Sequence, residues 1–444
     1  MQFQDLNLSK PLLNALDDMG MSSPTTIQSK VFSTIMAGRD VVGIAQTGTG
    51  KTMAYLLPIL RLWKFTKSPN PQILVVVPTR ELVTQLVDVV NNLTAYMNVQ
   101  CAGVYGGTNI RTQKAVIYEG CDVVIGTPGR LVDLMKDGVL KTKILKQIVI
   151  DEVDEMLNLG FRTQLRNLIE FIPSKCQHLM FSATMTEDVE LVINEFTDYY
   201  QKIEAAPSGA PLEHIAQSGY SVENFKTKFN LLQYLLESHE EMTKVLVFVK
   251  TKRFADALFE KMSEVFGESV GIIHSSKSQN YRFNVVHKFQ DGTVRCLIAT
   301  DIIARGLDVS AVTHVINFDL TDTPEKYIHR IGRTGRSEAK GIAISFISTA
   351  EKEYQQEIET LMNKQIEMLE LPEDVPTTEA LIPLEIPSDY VHFNKHKVKK
   401  IEPSGPAFHE KKLKNQKVNR KIRKAERMKL KYGKPIKKRQ KRKK

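Results

Sequence analysis

Short, almost wholly apolar runs alternate with longer stretches whose apolar residues recur at helical spacing, and the alternation passes along the chain twice. In the first half "DVVGIA", "QILVVVP", "VQCAGVY", "CDVVIGT", "KQIVID" and "HLMFSAT" read as buried strands. Segments such as "RELVTQLVDVVNNLTAYM" between them read as amphipathic helices. In the second half "KVLVFV", "SVGIIH", "VRCLIAT", "VTHVINF" and "GIAISFI" repeat the scheme. Strands that lack polar alternation are covered on both faces, which is the condition of a parallel sheet flanked by helices. The pattern therefore predicts an α/β chain with two doubly wound domains, over residues 1–204 and 215–360. The Pro- and Gly-containing stretch 205–214 reads as the linker. Residues 361–390 are expected to be a helix end followed by a Pro-containing tether.

Composition changes this picture at one end only. The 444 residues are 42% hydrophobic and 25% charged, ordinary for a globular protein. No apolar run approaches the roughly 20 residues that span a bilayer. The first residues, "MQFQDLNLSK", carry no secretory signal pattern. Four scattered cysteines without a CxxC pair speak against zinc or disulfides and suit a cytoplasmic protein. The net charge of +10 conceals a division. Residues 391–444 hold 23 Lys and Arg against 3 Glu, a net +20, so the preceding body is acidic at −10. Such a tail repels itself, is expected to be disordered, and suits a polyanionic partner such as nucleic acid.

Candidate chemistry sits at the strand ends. "AQTGTGKT" (Ala45, Gln46, Thr47, Gly48, Thr49, Gly50, Lys51, Thr52) follows a strand and opens a helix, the setting of a phosphate-binding loop. Its glycines let backbone N–H groups approach phosphate oxygens, Lys51 reaches the β- and γ-phosphates, and Thr52 offers a hydroxyl to Mg²⁺. Ala45 stands where the general pattern has its first glycine. "IVIDEVDEM" ends a strand in four carboxylates that repel one another unless a cation offsets them. Asp151 is the candidate Mg²⁺ holder, directly or through water, and Glu152 the candidate base for the attacking water. Asp154 and Glu155 lie too far along for those roles. "HRIGRTGR" supplies arginines from the second domain. Arg333 and Arg336, three apart, are expected on one helical face, aimed at the transferring phosphoryl group.

These stretches, in this order and at these spacings, resemble the DEAD-box ATP-dependent RNA helicases across about residues 1–350. The resemblance implies two tandem RecA-like domains, with ATP and Mg²⁺ bound between them and RNA as partner. It implies that Gln28 in "SSPTTIQ" reads the adenine edge, that Phe3 supports it, and that Asp308 in "TDIIARGLD" meets the ribose. It implies RNA contacts from Pro78, Thr79 and Arg80 ("PTREL"), Gly106 and Gly107, Thr127, Pro128 and Arg130 ("TPGR"), Gln279 and Arg282, and Thr300. Asp154 with Ser182 and Thr184 ("SAT") would couple the ATP and RNA sites, and His329 joins the catalytic set. The chain departs from the family pattern at Val153, Met21, Thr26 and Ile303. The compact core, with no N-terminal extension and a basic C-terminal tail, is similar to bacterial RhlE-type members.

The function that follows is RNA-stimulated ATP hydrolysis coupled to local unwinding of short duplexes or remodelling of RNA–protein complexes, by a monomeric core and without a membrane. An ATP-gated RNA clamp with weak unwinding is the alternative, and a DNA translocase a distant third. Ribosomal precursors and the RNA-decay machinery are compatible partners.

Overall fold

The computed structural model describes residues 1–45, 48–204, 214–301, 312–335, 341–386 and Gly433. Within residues 1–386, which cluster as one compact unit, the strands form two parallel sheets. The first sheet contains β1 (Val41–Ile44), β2 (Ile73–Val76), β3 (Cys101–Val104), β4 (Val123–Gly126), β5 (Gln147–Ile150), β6 (Gln177–Ser182) and β7 (Gln201–Glu204), in the order β3-β4-β2-β5-β6-β1-β7. The second contains β8 (Ile215–Ser221), β9 (Val245–Phe248), β10 (Val270–Ile273), β11 (Cys296–Ala299), β12 (His314–Asn317), β13 (Gly341–Ile347) and β14 (Glu367–Leu369). Its order, β10-β11-β9-β12-β13-β8-β14, is that of the first sheet moved on by seven strands.

The central strands are the apolar runs visible in the sequence, and β1, β2, β4 and β5 are buried along their whole length. Two clusters of core side chains, one on each face of the first sheet, cover them. Three strands are not foreshadowed by the sequence pattern: β7, β8 and β14. β7 and β14 each pair on one side only, β7 with β1 and β14 with β8. They expose side chains that a central strand would hide. β8, "IAQSGYS", lies between β13 and β14 yet is too polar to announce itself.

The stretch read as a tether is laid down on the second lobe. Asn230 donates to the Pro376 carbonyl at 2.6 Å, the Phe225 backbone N–H to Glu385 at 2.6 Å, and the Thr378 N–H to Thr227 at 3.2 Å. Val375 is buried, and Leu371 and Ile382 pack on the lobe's core. The prolines break regular structure there without removing the apolar anchors that hold the strand of chain in place. The basic tail, with residues 205–213, lies outside the described residues apart from Gly433. Among the described residues no helix is long and apolar enough to cross a membrane.

Candidate nucleotide and nucleic-acid site

Strand ends carry the chemistry. After β1 the chain turns through Gly48 and Gly50, both at positive φ, into the helix Lys51–Leu62. Gly50 is the N-cap, at φ 88°, and no side chain caps the helix. A Cβ on Gly50 would strike the Gln28 carboxamide and the Thr25 side chain, so glycine is required both by the backbone and by the close approach. Uncapped N–H groups and the positive end of the helix dipole favour an anion there. Lys51 is buried, and its Nζ has no hydrogen-bond partner among the described residues. A buried ammonium is rarely left without a hydrogen-bond acceptor, because desolvating its N–H groups is costly. Gln46 and Thr47 lie outside the described residues.

β5 delivers the acids. Asp151 is buried; its Oδ1 accepts the Glu152 N–H at 2.9 Å and its Oδ2 the Tyr55 hydroxyl at 2.9 Å. Burial pushes its carboxyl above the usual range, with Lys51 acting the other way. Burial and the neighbouring Asp151 likewise raise Glu152, against Lys51 and Arg333. Glu152 holds φ 54° and ψ 53°, a left-handed conformation that costs a non-glycine residue on the order of 1 kcal/mol or more. The strain fits a chain that must leave β5 and enter the helix Val153–Asn158 while keeping both carboxyls at the strand end. Asp154 accepts the backbone N–H groups of Ala183 and Thr184 and the Thr184 hydroxyl, each at 3.1 Å. Burial opposes its ionisation, but His329 and Lys51 outweigh it and hold the carboxyl below its ordinary value.

The second lobe closes this cluster. His329 Nε2 stands 3.8 Å from Asp154 Oδ2. Lys51, Glu152, Asp154, Glu155, Ala183, His329 and Arg333 enclose a cavity of about 10 Å³, close to the volume of one water. Arg333, expected on a helical face, lies beyond the end of the helix. The helix Pro324–Ile331 ends at Gly332, and Thr334 is drawn into an extended bridge with Val312, its hydroxyl donating to the Val312 carbonyl at 2.6 Å. Arg333 reaches the cavity from the turn between them. Arg336 and Asp308 lie outside the described residues. Arg330, which the sequence did not single out, grips Asp301 with two bonds of 2.5 and 2.8 Å and lies over the Phe248 ring.

Of the adenine candidates, Gln28 donates to the Gly50 carbonyl at 3.1 Å and accepts the Thr25 N–H at 3.0 Å. It thus ties the helix Thr26–Met36 to the phosphate loop. Phe3 is 3% exposed and packs in the first lobe's core.

Three of the nucleic-acid candidates, Arg80, Gln279 and Arg282, meet across the lobes. Gln279 donates to Glu81 at 3.1 Å across the lobes, and Arg282 forms a nearly buried ion pair with the same Glu81. Arg80 is 3.5 Å from Gln279. Glu81 was the unread letter of "PTREL": its burial at a helix start had no sequence signal. Thr79 caps the helix Arg80–Leu93 through the Leu82 N–H, and Pro78 is buried before it. Thr127 and Pro128 open the helix Pro128–Lys136. Arg130 on that helix is buried, bonded to Gln113 at 2.7 Å and to the Thr108 carbonyl at 3.1 Å, and so braces the loop that carries Gly106 and Gly107. Thr300 is buried at the end of β11. Ser182 is buried at the end of β6.

A DEAD/DEAH box helicase family model matches residues 25–192, and a helicase conserved C-terminal domain model matches residues 227–338. DEAD-box ATP-dependent RNA helicase CshA of Geobacillus kaustophilus is 36% identical over 370 residues, covering 83% of this chain and 78% of that one. This chain belongs to the DEAD-box RNA helicase family. RNA helicase CrhR of Synechocystis is also 36% identical, over 83% of this chain and 74% of its own. Among solved structures, S. cerevisiae Dbp5 bound to RNA and ADP BeF3 superposes on the helicase with a TM-score of 0.76 at 29% identity, covering 84% of this chain and 96% of that one. The fold is that of two tandem RecA-like domains.

Proposed function

We propose that this ATP-dependent RNA helicase hydrolyses ATP in the cleft between its lobes and uses lobe closure to open short RNA duplexes locally. The observation that carries the reading is the small chamber itself. Lys51 and Glu152 of one lobe face Arg333 and His329 of the other around room for about one water. The residues present also suit Mg²⁺. Asp151 is buried beside the half-buried Glu152, the Thr52 hydroxyl lies at the helix start, and the buried Lys51 ammonium has no hydrogen-bond partner among the described residues. Thr52 and Asp151 would hold the ion, directly or through water, and when bound it supplies neutralising charge to the phosphate oxygens.

The chain's own groups do the rest. Lys51 and the N–H groups of the loop bind the phosphates. Glu152 positions the attacking water and accepts its proton, a role its raised carboxyl basicity suits. Arg333, and Arg336 beyond it, would stabilise charge on the transferring group, and only when the lobes meet. Asp154 ties "SAT" to His329, so a shift in the ATP cleft is felt at the lobe interface. On the rim, the Pro78–Arg80 and Thr127–Arg130 segments, Gly106, Gly107, Gln279, Arg282 and Thr300 would follow the backbone of one RNA strand. Contacts of that kind position without reading bases, and the 2′-OH separates RNA from DNA. Gln28 would release the Gly50 carbonyl to meet adenine, with Phe3 supporting the segment from below. The basic tail adds a sequence-blind anchor, and cytoplasmic ribosomal precursors or RNAs bound for decay are the substrates proposed.

The test pairs ATPase with strand release. RNA, and not DNA of the same sequence, should stimulate hydrolysis, and an RNA duplex with a single-stranded flank should separate in step with it. Hydrolysis without strand release would leave an ATP-gated clamp, and equal stimulation by DNA would defeat the reading. Truncation after Tyr390 should weaken RNA binding while maximal turnover stays within a few-fold. If about five tail cations contact the strand, the log–log salt slope should flatten by about 3.5.

A further inference from the structure

One buried hydroxyl at the site has no part in the scheme above. Tyr55 lies one turn into the helix Lys51–Leu62, so positions 51, 52 and 55 share the face that looks along the top of the sheet. The residue is fully buried, and its hydroxyl donates to Asp151 Oδ2 at 2.9 Å. The side chain of Thr52 is presented to the same phenol oxygen. Tyr55 reaches β5 from the helix after β1 by crossing β6, where its ring packs on Phe181 at 5.3 Å between centroids. Phe181 can lie there because Gly43, beside it in β1, has no Cβ to collide with the ring. Glycine, phenylalanine and tyrosine thus form a braced column that aims one O–H at one carboxylate oxygen.

Phenylalanine would fill the same space, so packing alone does not explain the hydroxyl. The other oxygen of Asp151 is held by the Glu152 N–H. Both oxygens are therefore oriented, and each keeps a lone pair for a further partner. Hydrogen bonds from outside the coordination sphere fix carboxylate ligands in this way, and losing one costs about 10- to 100-fold in metal affinity. We propose that Tyr55 is a positioning residue for the Mg²⁺ of the ATP site, acting through Asp151 and the Thr52 side chain. The inference rests on the assignment of Asp151 and Thr52 to the metal.

The experiment is nucleotide binding by the full chain, with fluorescent N-methylanthraniloyl-ADP titrated in EDTA and at increasing free Mg²⁺. Tyr55→Phe should bind the probe in EDTA as the unchanged protein does, yet require at least about tenfold more free Mg²⁺ for the same gain in affinity. RNA-stimulated hydrolysis should show the same displacement along the Mg²⁺ axis, with turnover recovered at high Mg²⁺. An unchanged Mg²⁺ midpoint, a tighter one, or a loss of affinity already present in EDTA would overturn the proposal. Asp151→Asn is the control on its foundation. If that variant loses the Mg²⁺-dependent gain while Tyr55→Phe keeps it, the metal assignment stands and the role of Tyr55 fails. If Asp151→Asn keeps the gain, the metal assignment itself is wrong and the proposal falls with it.

Discussion

The two lobes share one strand order, and each buries a lysine in the first turns of the helix that follows its first strand, but they treat that lysine in opposite ways. In the second lobe Lys228 bonds Asp319 at 3.2 Å and Glu351 at 3.3 Å. The helix Phe225–Ser238 is capped by Asn224, which accepts the Thr227 N–H. In the first lobe the helix begins at Gly50 without a side-chain cap, and the Lys51 ammonium has no hydrogen-bond partner among the described residues. The second lobe satisfies this lysine and this helix start from within; the first leaves the equivalent groups open at a strand end. A fold of this kind becomes a nucleotide site by omission as much as by addition, and the omitted bonds are those a triphosphate can supply.

The comparison breaks most visibly if the open groups are removed. Arg333→Ala should lower RNA-stimulated turnover on the order of 10³-fold, as for other arginine fingers, and Lys51→Ala should abolish nucleotide binding or turnover. Lys51→Ala should alter urea unfolding little, since among the described residues the Lys51 ammonium makes no hydrogen bond. Glu152→Gln should instead retain ATP and RNA together in a closed complex. Near-normal hydrolysis in Arg333→Ala would show that the lobes do not meet as described. The reciprocal change is Lys228→Met. It leaves the buried Glu351 and the half-buried Asp319 without their cation, and breaking a buried pair from one side costs up to about 3–5 kcal/mol. Urea denaturation of the second lobe should show the loss, while nucleotide affinity of the folded fraction is unchanged.

The openness of the first lobe was legible because it is written in residue types that few other structures need: a Gly-rich turn before a helix and adjacent acids after an apolar run. The closed groups of the second lobe were not. Nothing about Lys228, Asp319 or Glu351, spread over more than a hundred positions, marks them as partners until the sheet brings them together. The same holds for Glu81 with Arg282 and for Tyr55 with Asp151. Edge strands escaped because one-sided pairing relaxes the apolar pattern, and "LPEDVPTTEALIPLEIPSDY" read as a tether because its anchors are sparse and its prolines frequent. Helical periodicity misled at Arg333, where a tertiary bridge through Thr334 overrides the local spacing.

A milder change sharpens the contrast between the caps. Asn224→Ala removes both the cap to Thr227 and the bond its amide donates to the Thr378 carbonyl. A cap is worth about 1 kcal/mol and a further hydrogen bond about as much, so a loss of about 2 kcal/mol is expected in thermal unfolding. Asn224→Asp keeps the acceptor and should recover the cap's share. Full recovery would mean that the bond to the Thr378 carbonyl contributes nothing.

The smallest expected effect lies between the reacting acids and Asp154. Val153 is fully buried and belongs to the cluster on one face of the first sheet, with Val76, Ile150 and Met180 among its members. Its side chain points away from the carboxyls on either side, into packing that the second lobe has no part in. Val153→Ala removes two methyl groups, for which a core site costs roughly 1–2 kcal/mol. The bonds from Asp154 to Ala183 and Thr184 come from the neighbouring residue's own side chain and need no support from those methyls. Turnover at saturating RNA and ATP should therefore remain within a few-fold while the melting temperature falls. A shift of more than tenfold in RNA-stimulated turnover, at unchanged basal rate, would make Val153 a tuning position for communication between the lobes. The first lobe's core could then no longer be separated from the catalytic cleft it carries.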